Sequence, residues 1–295
     1  MQFQIVDTEA IYRRLLATMD AAEREADFRD TLVAPFAGMI QVFGGGDGLA
    51  MFQQWGMSPG MFVGDGREQI IRYLDDLASA GAWKRAAASL ETGWAAFTPY
   101  AERIGLDAIT FALCLVQTDP VPGGYGYAGF GAIPGWIMTV YTDPDAFNLE
   151  RVEAATIHEL HHNVRFTLFP FNMMQTTVGE YMIAEGLAES FAAELYGEDL
   201  IGPWVTRFDD SRLEESRAIF RDSLNVTGFN TIRSYIFGDD VAGHMGMEKV
   251  GVPPYAGYAL GYKVTQAYLK RTGKTVAEAT LLSAQEIITE SQFFS

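Results

Sequence analysis

The sequence predicts an α+β fold in which a small sheet accompanies a mostly helical chain. Two short segments, 109–116 and 136–141, are rich in β-branched and apolar residues, as buried strands are. Much of the remaining chain repeats apolar residues at helical spacing. Of the 295 residues, 48% are hydrophobic, which is enough to form a sizeable core.

The first hundred residues predict helices. An amphipathic helix is expected at 8–30, where no glycine or proline interrupts the apolar repeat. A glycine-rich turn at 44–48 separates it from expected helices at 67–80 and 83–101. This turn lacks the Gly-Lys-Ser/Thr ending of a phosphate-binding loop, so it predicts no nucleotide site.

A glycine- and aromatic-rich segment, Gly123–Gly131, lies between the two expected strands. Its glycines oppose a stable helix, and we expect a mobile loop. Cys114 lies in the middle of the first strand between leucines, which favours a place in the core over metal binding.

Further helices are expected after the second strand. One begins after the capping residue Asn148 and ends near Thr167, and the next covers 179–196 and stops at Gly197. Three more helical patterns follow, at 211–224, 255–271 and 276–290.

The charge balance excludes several classes of partner. The chain has 21 Lys and Arg against 38 Asp and Glu, a formal net charge of −17. Such a surface repels phosphate backbones and anionic lipids, so neither a nucleic acid nor a membrane is expected as a partner. One cysteine cannot form an internal disulfide, and no signal-peptide pattern is evident. We therefore expect a cytoplasmic protein.

Three of the four histidines fall within His158–His162, in the pattern His-Glu-x-x-His. On the expected helix, His158 and His162 project from one face and can share a metal ion. Glu159 lies beside them. His161 points about 100° away from the metal-facing side, which favours a packing role. In a chain with so few histidines, the pattern predicts a metal site.

The next helix carries several carboxylates. Glu185 and Glu189 are four residues apart and share one face, whereas Glu180, Glu194 and Glu198 are expected at the surface. A catalytic zinc usually has three protein ligands and one open position. Two histidines therefore leave one ligand to come from elsewhere in the chain.

These motifs resemble those of known metallopeptidases. The histidine motif followed by Glu185-Gly-Leu-Ala is similar to the gluzincins, in which a glutamate on the next helix completes the zinc shell. The closer resemblance is to a bacterial family described as predicted zinc-dependent proteases, which shares the Gly-Tyr-x-x-Gly-Tyr segment found here at Gly257–Tyr262. The likeness spans roughly residues 104–290.

The resemblance implies a zincin-like lobe, made of the small sheet and the zinc helix, with a mostly helical remainder. It implies one zinc ion per chain, held by His158, His162 and Glu185. Glu189, one turn beyond, is placed to accept a hydrogen bond from a metal-bound imidazole. We accordingly expect a helical amino-terminal region, 1–103, and a catalytic region, 104–295.

The implied reaction is hydrolysis of a peptide bond. A bound zinc lowers the pKa of its water toward ~7, and Glu159 takes the proton of that water as general base. The oxyanion needs a further donor. Tyr258 is the preferred donor, and Tyr262 and His244 are the alternatives.

A peptide or protein substrate is expected to lie extended along an edge strand. Trp136–Tyr141 is the expected edge, Gly123–Gly131 the lid, and the acidic surface favours basic or neutral peptides. Two alternatives stay open: a zinc-containing protein that binds peptides or a partner without cleaving them, and hydrolysis of another amide. Glu159 argues against the first, because a structural zinc site normally has four ligands and needs no general base.

Overall fold

A computed structural model describes residues 1–118 and 124–295 and shows an α+β fold with a four-stranded sheet. Its strands are β1 (Gln2–Ile5), β2 (Ala108–Leu115), β3 (Tyr127–Phe130) and β4 (Trp136–Tyr141), in the order β1-β2-β4-β3. β2 is parallel to both β1 and β4, whereas β3 is antiparallel to β4. The two strands expected from the sequence are confirmed as β2 and β4.

The edge of the sheet differs from the expectation. β4 lies between β2 and β3, so the prediction that Trp136–Tyr141 forms the edge is wrong. The edge strand next to β4 is β3, which is built from the segment expected to be a loop. Gly129 opposes Thr139 in its register, and the antiparallel partner provides backbone pairing that a glycine-containing strand would not keep alone. Of the segment expected to act as a lid, Gly123–Gly131, residue 123 lies outside the described residues, and movement of the rest as a lid stays a prediction.

The described residues divide into two units, and the division passes through two continuous helices. The first unit contains 1–94 and 106–159, and the second contains 95–105 and 160–295. The boundary expected near residue 103 stays a prediction. The helices up to β2 are α1 (Thr8–Ala17), α2 (Ala21–Phe28), α3 (Ala37–Val42), α4 (Gly48–Gln54), α5 (Arg67–Ser79), α6 (Ala82–Phe97) and α7 (Ala101–Ile104).

Helices also follow β4, and most of them belong to the second unit. They are α8 (Ala146–Leu149), α9 (Val152–Leu168), α10 (Val178–Tyr196), α11 (Pro203–Thr206), α12 (Leu213–Ser223), α13 (Phe229–His244), α14 (Ala256–Thr272), α15 (Val276–Thr280) and α16 (Ala284–Ser291). None of the described helices is long and apolar enough to cross a membrane.

Several helix boundaries depart from the sequence pattern, and a capping side chain explains two of them. The helix expected at 8–30 is broken because Asp20 accepts a hydrogen bond from the Glu23 N–H and starts α2. Asn148 does not cap α9. Asp145 caps the short α8 instead, and the buried Asn148 amide donates to the carbonyls of Tyr125 and Asp143.

The core of the first unit is aromatic. Tyr12, Phe28, Phe52 and Phe62 are fully buried, and their rings meet at centroid distances of 5.3 to 6.5 Å. Nearly every residue of β2 is buried as well, which fits a strand that lies between two parallel neighbours, β1 and β4.

The second unit is organised around α10, whose residues 178–192 are almost all buried. One of its glycines, Gly186, meets Gly261 of α14 so closely that a Cβ added at Gly186 would lie 2.1 Å from the Gly261 backbone. Gly257 likewise faces the backbone of Ile236 on α13. The glycines of the Glu-Gly-Leu-Ala and Gly-Tyr-x-x-Gly-Tyr motifs therefore let α10, α13 and α14 pack closely together. This packing fixes the position of Glu185 on α10.

Candidate metal centre

Helix α9 carries the histidine motif on a buried surface. His158, Glu159 and His162 are all at least nine-tenths buried, although each is polar. Buried polar groups are retained where they have partners or a function. The helix runs unbroken through the motif, so His158 and His162 lie one turn apart on one face, as the sequence predicts.

Helix α10 brings Glu185 to these histidines. It begins with a capping box, in which the Thr177 side chain and Glu180 each accept from the other's backbone N–H, so that its first turn is firmly defined. Two turns later, the buried Glu185 places Oε2 3.3 Å from Nε2 of His162. One ligand atom from each of His158, His162 and Glu185 lies within 4.8 Å of the others.

This donor set fits zinc. Two imidazoles and one carboxylate, with a position left open, are the ligands of a common type of catalytic zinc site. Ligand atoms about 2.1 Å from a tetrahedral zinc lie about 3.4 Å apart, which the separation of His162 and Glu185 matches. Among the residues that the structure describes, these three form the group suited to hold a metal ion. Cys114 is not part of it.

Glu159 faces the edge strand β3. A Cβ added at Gly129 would lie 2.1 Å from Oε1 of Glu159, and one added at Gly131 would lie 2.2 Å from its backbone carbonyl oxygen. Both glycines are therefore required for space. The strand passes directly over the glutamate of the motif, which brings an edge of the sheet and a candidate general base together within the first unit.

Comparison with known proteins identifies the family. A family model described as "Predicted Zn-dependent protease (DUF2268)" matches residues 97–289. The chain belongs to this family. The uncharacterized protein YjfC of Bacillus subtilis (strain 168) is 41% identical over 193 residues, which are 65% of this chain and 64% of that protein. The chain thus spans just under two thirds of this relative's length. No solved structure matches.

The matched region contains all the candidate site residues, and it agrees closely with the likeness expected at 104–290. His161, between the two candidate ligands, packs as predicted. It is fully buried, its Nε2 lies 2.9 Å from Oγ1 of Thr280, and its ring lies beside Phe97 and Phe191. It therefore ties α9 to α15 within the second unit.

Glu189 has partners that sequence reasoning did not identify. Its carboxylate accepts a hydrogen bond from the Gly202 N–H at 2.9 Å and a short one from Nε1 of Trp204. These contacts hold the segment after α10 against the helix that carries Glu185. The contact with a metal-bound imidazole stays a prediction.

The three candidate oxyanion donors lie in different settings. Tyr258 packs its ring on Trp204, Phe237 and Tyr255, at centroid distances of 5.5 to 6.0 Å. Tyr262 donates from its hydroxyl to Glu198 at 3.1 Å. Burial, and then this hydrogen bond, raises the pKa of Tyr262 above its ordinary value, so it stays protonated.

His244 is the last residue of helix α13, a helix that the sequence pattern did not predict. It is exposed, and its Nδ1 lies 2.7 Å from the carbonyl oxygen of Asp240. The helix was missed because Gly238, at φ +81°, kinks it and breaks the apolar repeat. None of the three donors belongs to the described metal-binding group, so each role stays a prediction.

The other carboxylates expected at the surface have structural partners. Glu180 belongs to the capping box of α10, Glu194 accepts from the Val276 N–H, and Glu198 accepts from Tyr262.

Proposed function

We propose that this protein is a zinc-dependent peptidase of the gluzincin type, with His158, His162 and Glu185 as metal ligands and Glu159 as general base. The proposal rests mainly on one observation. The three proposed ligands are buried and lie close together, and the neighbouring Glu159 faces the edge strand β3. A zinc ion bound there would supply Lewis acidity, lowering the pKa of a water in its open position and polarising the carbonyl of the substrate.

Glu159 would act through its carboxylate oxygens. It would take the proton of the attacking water and pass it to the amine that leaves as the peptide bond breaks. Because Gly129 has no side chain, the strand can approach this carboxylate without displacing it. The strand therefore restricts where the carboxylate can lie, and such positioning contributes strongly to rate.

A hydroxyl donor would stabilise the developing oxyanion, and we retain Tyr258 as the preferred one. Its ring is fixed among aromatic neighbours, which suits a donor that must not reorganise. The hydroxyl of Tyr262 already donates to Glu198, which favours a structural role for it. Replacing each tyrosine by phenylalanine distinguishes the two roles. The variant that lacks the true donor should have a lower kcat while its metal content is unchanged.

We propose that the substrate is a peptide that pairs with β3. This strand ends the sheet and passes over Glu159, so an extended chain added there would bring its carbonyl near the general base. The net charge of −17 favours basic or neutral peptides. Equal cleavage of matched acidic and basic peptides at low salt would exclude that preference.

The test is hydrolysis of fluorescently labelled casein and of a mixed peptide library by the zinc-loaded protein. We expect activity that a chelator removes and added zinc restores. Glu159→Gln should keep zinc but lose turnover, because the amide cannot take a proton. Activity that survives in Glu159→Gln would contradict the assignment of the base, and a folded, zinc-containing protein without hydrolysis would favour a binding function.

A further inference from the structure

The second unit contains a cavity that the proposed reaction does not use. Its volume is about 450 Å³, and it lies between the end of α9, the start of α10 and the start of α16. Small-molecule sites usually have volumes of about 300 to 1,000 Å³. Apolar walls come from Phe166, Phe169 and Phe171, and polar side chains from Asn172 and Gln175.

One charged side chain of this cavity, Arg165, is almost completely buried. Only 3% of it is exposed. Its Nη1 donates to the carbonyls of Thr280 and Leu282 at 2.8 and 2.6 Å, and its guanidinium lies 3.9 Å from the ring centroid of Phe169. These contacts hold the guanidinium in place. Both hydrogen bonds are made by Nη1, one of its three nitrogens.

Arg165 forms no ion pair with any of the described residues. Glu180, which also lines the cavity, interacts with it only at longer range, and its exposed carboxylate already caps α10. Burial lowers the pKa of Arg165 to about 9, which still leaves the side chain charged at neutral pH. A buried cation without a paired anion is costly, and a bound anion would relieve that cost.

We propose that this cavity binds a carboxylate carried on an aromatic or apolar body. Arg165 presents a planar set of donors that matches a carboxylate, and the phenylalanine walls suit the apolar part. The amide groups of Asn172 and Gln175 offer further hydrogen bonds at the rim. The binding does not depend on peptide hydrolysis.

Two sources supply such a carboxylate: the carboxy terminus of a peptide, or a free small acid. The cavity lies beside the candidate metal centre, because Phe166 lines it and stacks on the ring of His162 at 5.3 Å. Ala184, another wall residue, directly precedes Glu185. A peptide held at the metal would therefore have a carboxylate pocket close by.

The test is calorimetric titration of the zinc-loaded Glu159→Gln protein, in which turnover cannot interfere. The probes are N-acetylphenylalanine and its uncharged amide. We expect the acid to bind about tenfold more tightly than the amide, because only the acid pairs with Arg165. Arg165→Met should remove that preference. Equal binding of acid and amide to the unmodified cavity would overturn the proposal.

A second variant covers the case in which Arg165→Met fails to fold. Gln175→Glu places a negative charge on an exposed residue of the cavity wall, whereas Asn230→Asp adds the same charge on an exposed residue of α13 that does not line the cavity. We expect Gln175→Glu to weaken binding of the acid about fivefold and leave the amide unchanged. Asn230→Asp should alter neither. Equal effects of the two variants would overturn the proposal.

A second titration decides whether the bound carboxylate comes from a peptide terminus or from a free acid. It compares the binding of Ala-Ala-Ala-Phe with that of its amidated form. If the free peptide binds more tightly than N-acetylphenylalanine and amidation abolishes the gain, the carboxylate belongs to a peptide terminus. If the small acid binds more tightly, the cavity serves a free acid. If neither probe binds at millimolar concentration, the assignment of the cavity is wrong.

Discussion

Replacing Gly129 by alanine should displace the carboxylate of Glu159. The added Cβ would lie 2.1 Å from Oε1, 2.4 Å from Cδ and 2.5 Å from Cγ of Glu159, whereas ordinary contact begins at 3.4 Å. The side chain or the strand must therefore move by about 1.3 Å at its closest atom. A misplacement of about 1 Å in a catalytic group can cost about 100-fold in rate, which is about 2.7 kcal/mol.

The assay is kcat/KM on the best peptide from the library, with zinc content measured on the same sample. We expect Gly129→Ala to lose about 100-fold in kcat/KM while it keeps its zinc, because the three atoms nearest to the added Cβ all belong to Glu159 and none to a proposed metal ligand. Gly60→Ala is the matched control. Gly60 is exposed, and an added Cβ there would meet only Oγ of Ser58, at 3.6 Å.

A double-mutant cycle of Gly129→Ala and Glu159→Ala, measured by stability, tests the same contact without a substrate. Gly129→Ala should lower the free energy of unfolding by about 1 to 3 kcal/mol, because it overpacks the contact with Glu159. The same substitution should cost much less when Glu159 is already alanine. The reasoning fails if Gly129→Ala costs as much stability without the Glu159 side chain as with it, or if activity stays within twofold of the parent.

Three further predictions concern buried groups elsewhere in the fold and on α10. Burial raises the pKa of the Cys114 thiol to about 12, so iodoacetamide at pH 8 should label the native protein far more slowly than the unfolded one; equal rates would show that the thiol is accessible. Gly186→Ala should cost about 3 kcal/mol or more in urea denaturation, because its Cβ would strike the Gly261 backbone, and a stability equal to the parent would show that the two helices can separate. Glu189→Gln should cost about 1 to 3 kcal/mol, because Gly202 and Trp204 donate to different oxygens of the carboxylate and the amide replaces one of these oxygens by a donor. Trp204→Phe should then add little to it; additive losses in the double variant would argue against the shared contact.

The parts of the fold that local sequence determines were predictable. The histidine motif, the helices that carry it and Glu185, and the two apolar strands depend on periodicity, which each segment carries by itself. The packing role of His161 followed from its angle on the helix. The family resemblance was likewise readable, because its motifs are short and specific.

The parts that depend on tertiary partners were not predictable. β3 looked like a loop because its glycines lower strand propensity, and only the pairing with β4 makes it a strand. The positions of Gly129 and Gly186 require glycine because Glu159 and the backbone of Gly261, respectively, lie too close for a Cβ. A single sequence does not reveal such close approaches. Arg165, on the last turns of α9, resembles a surface cation in sequence but lies buried against the α15–α16 connection.

The most direct test of the central claim is the metal content of the purified protein. Elemental analysis should find about one zinc per chain in the parent and in Glu159→Gln, because the proposal makes this glutamate a base and not a ligand. His162→Ala and Glu185→Ala, verified as folded by circular dichroism, should hold little zinc after the same purification. Equal zinc content in the parent and in His162→Ala would contradict the site.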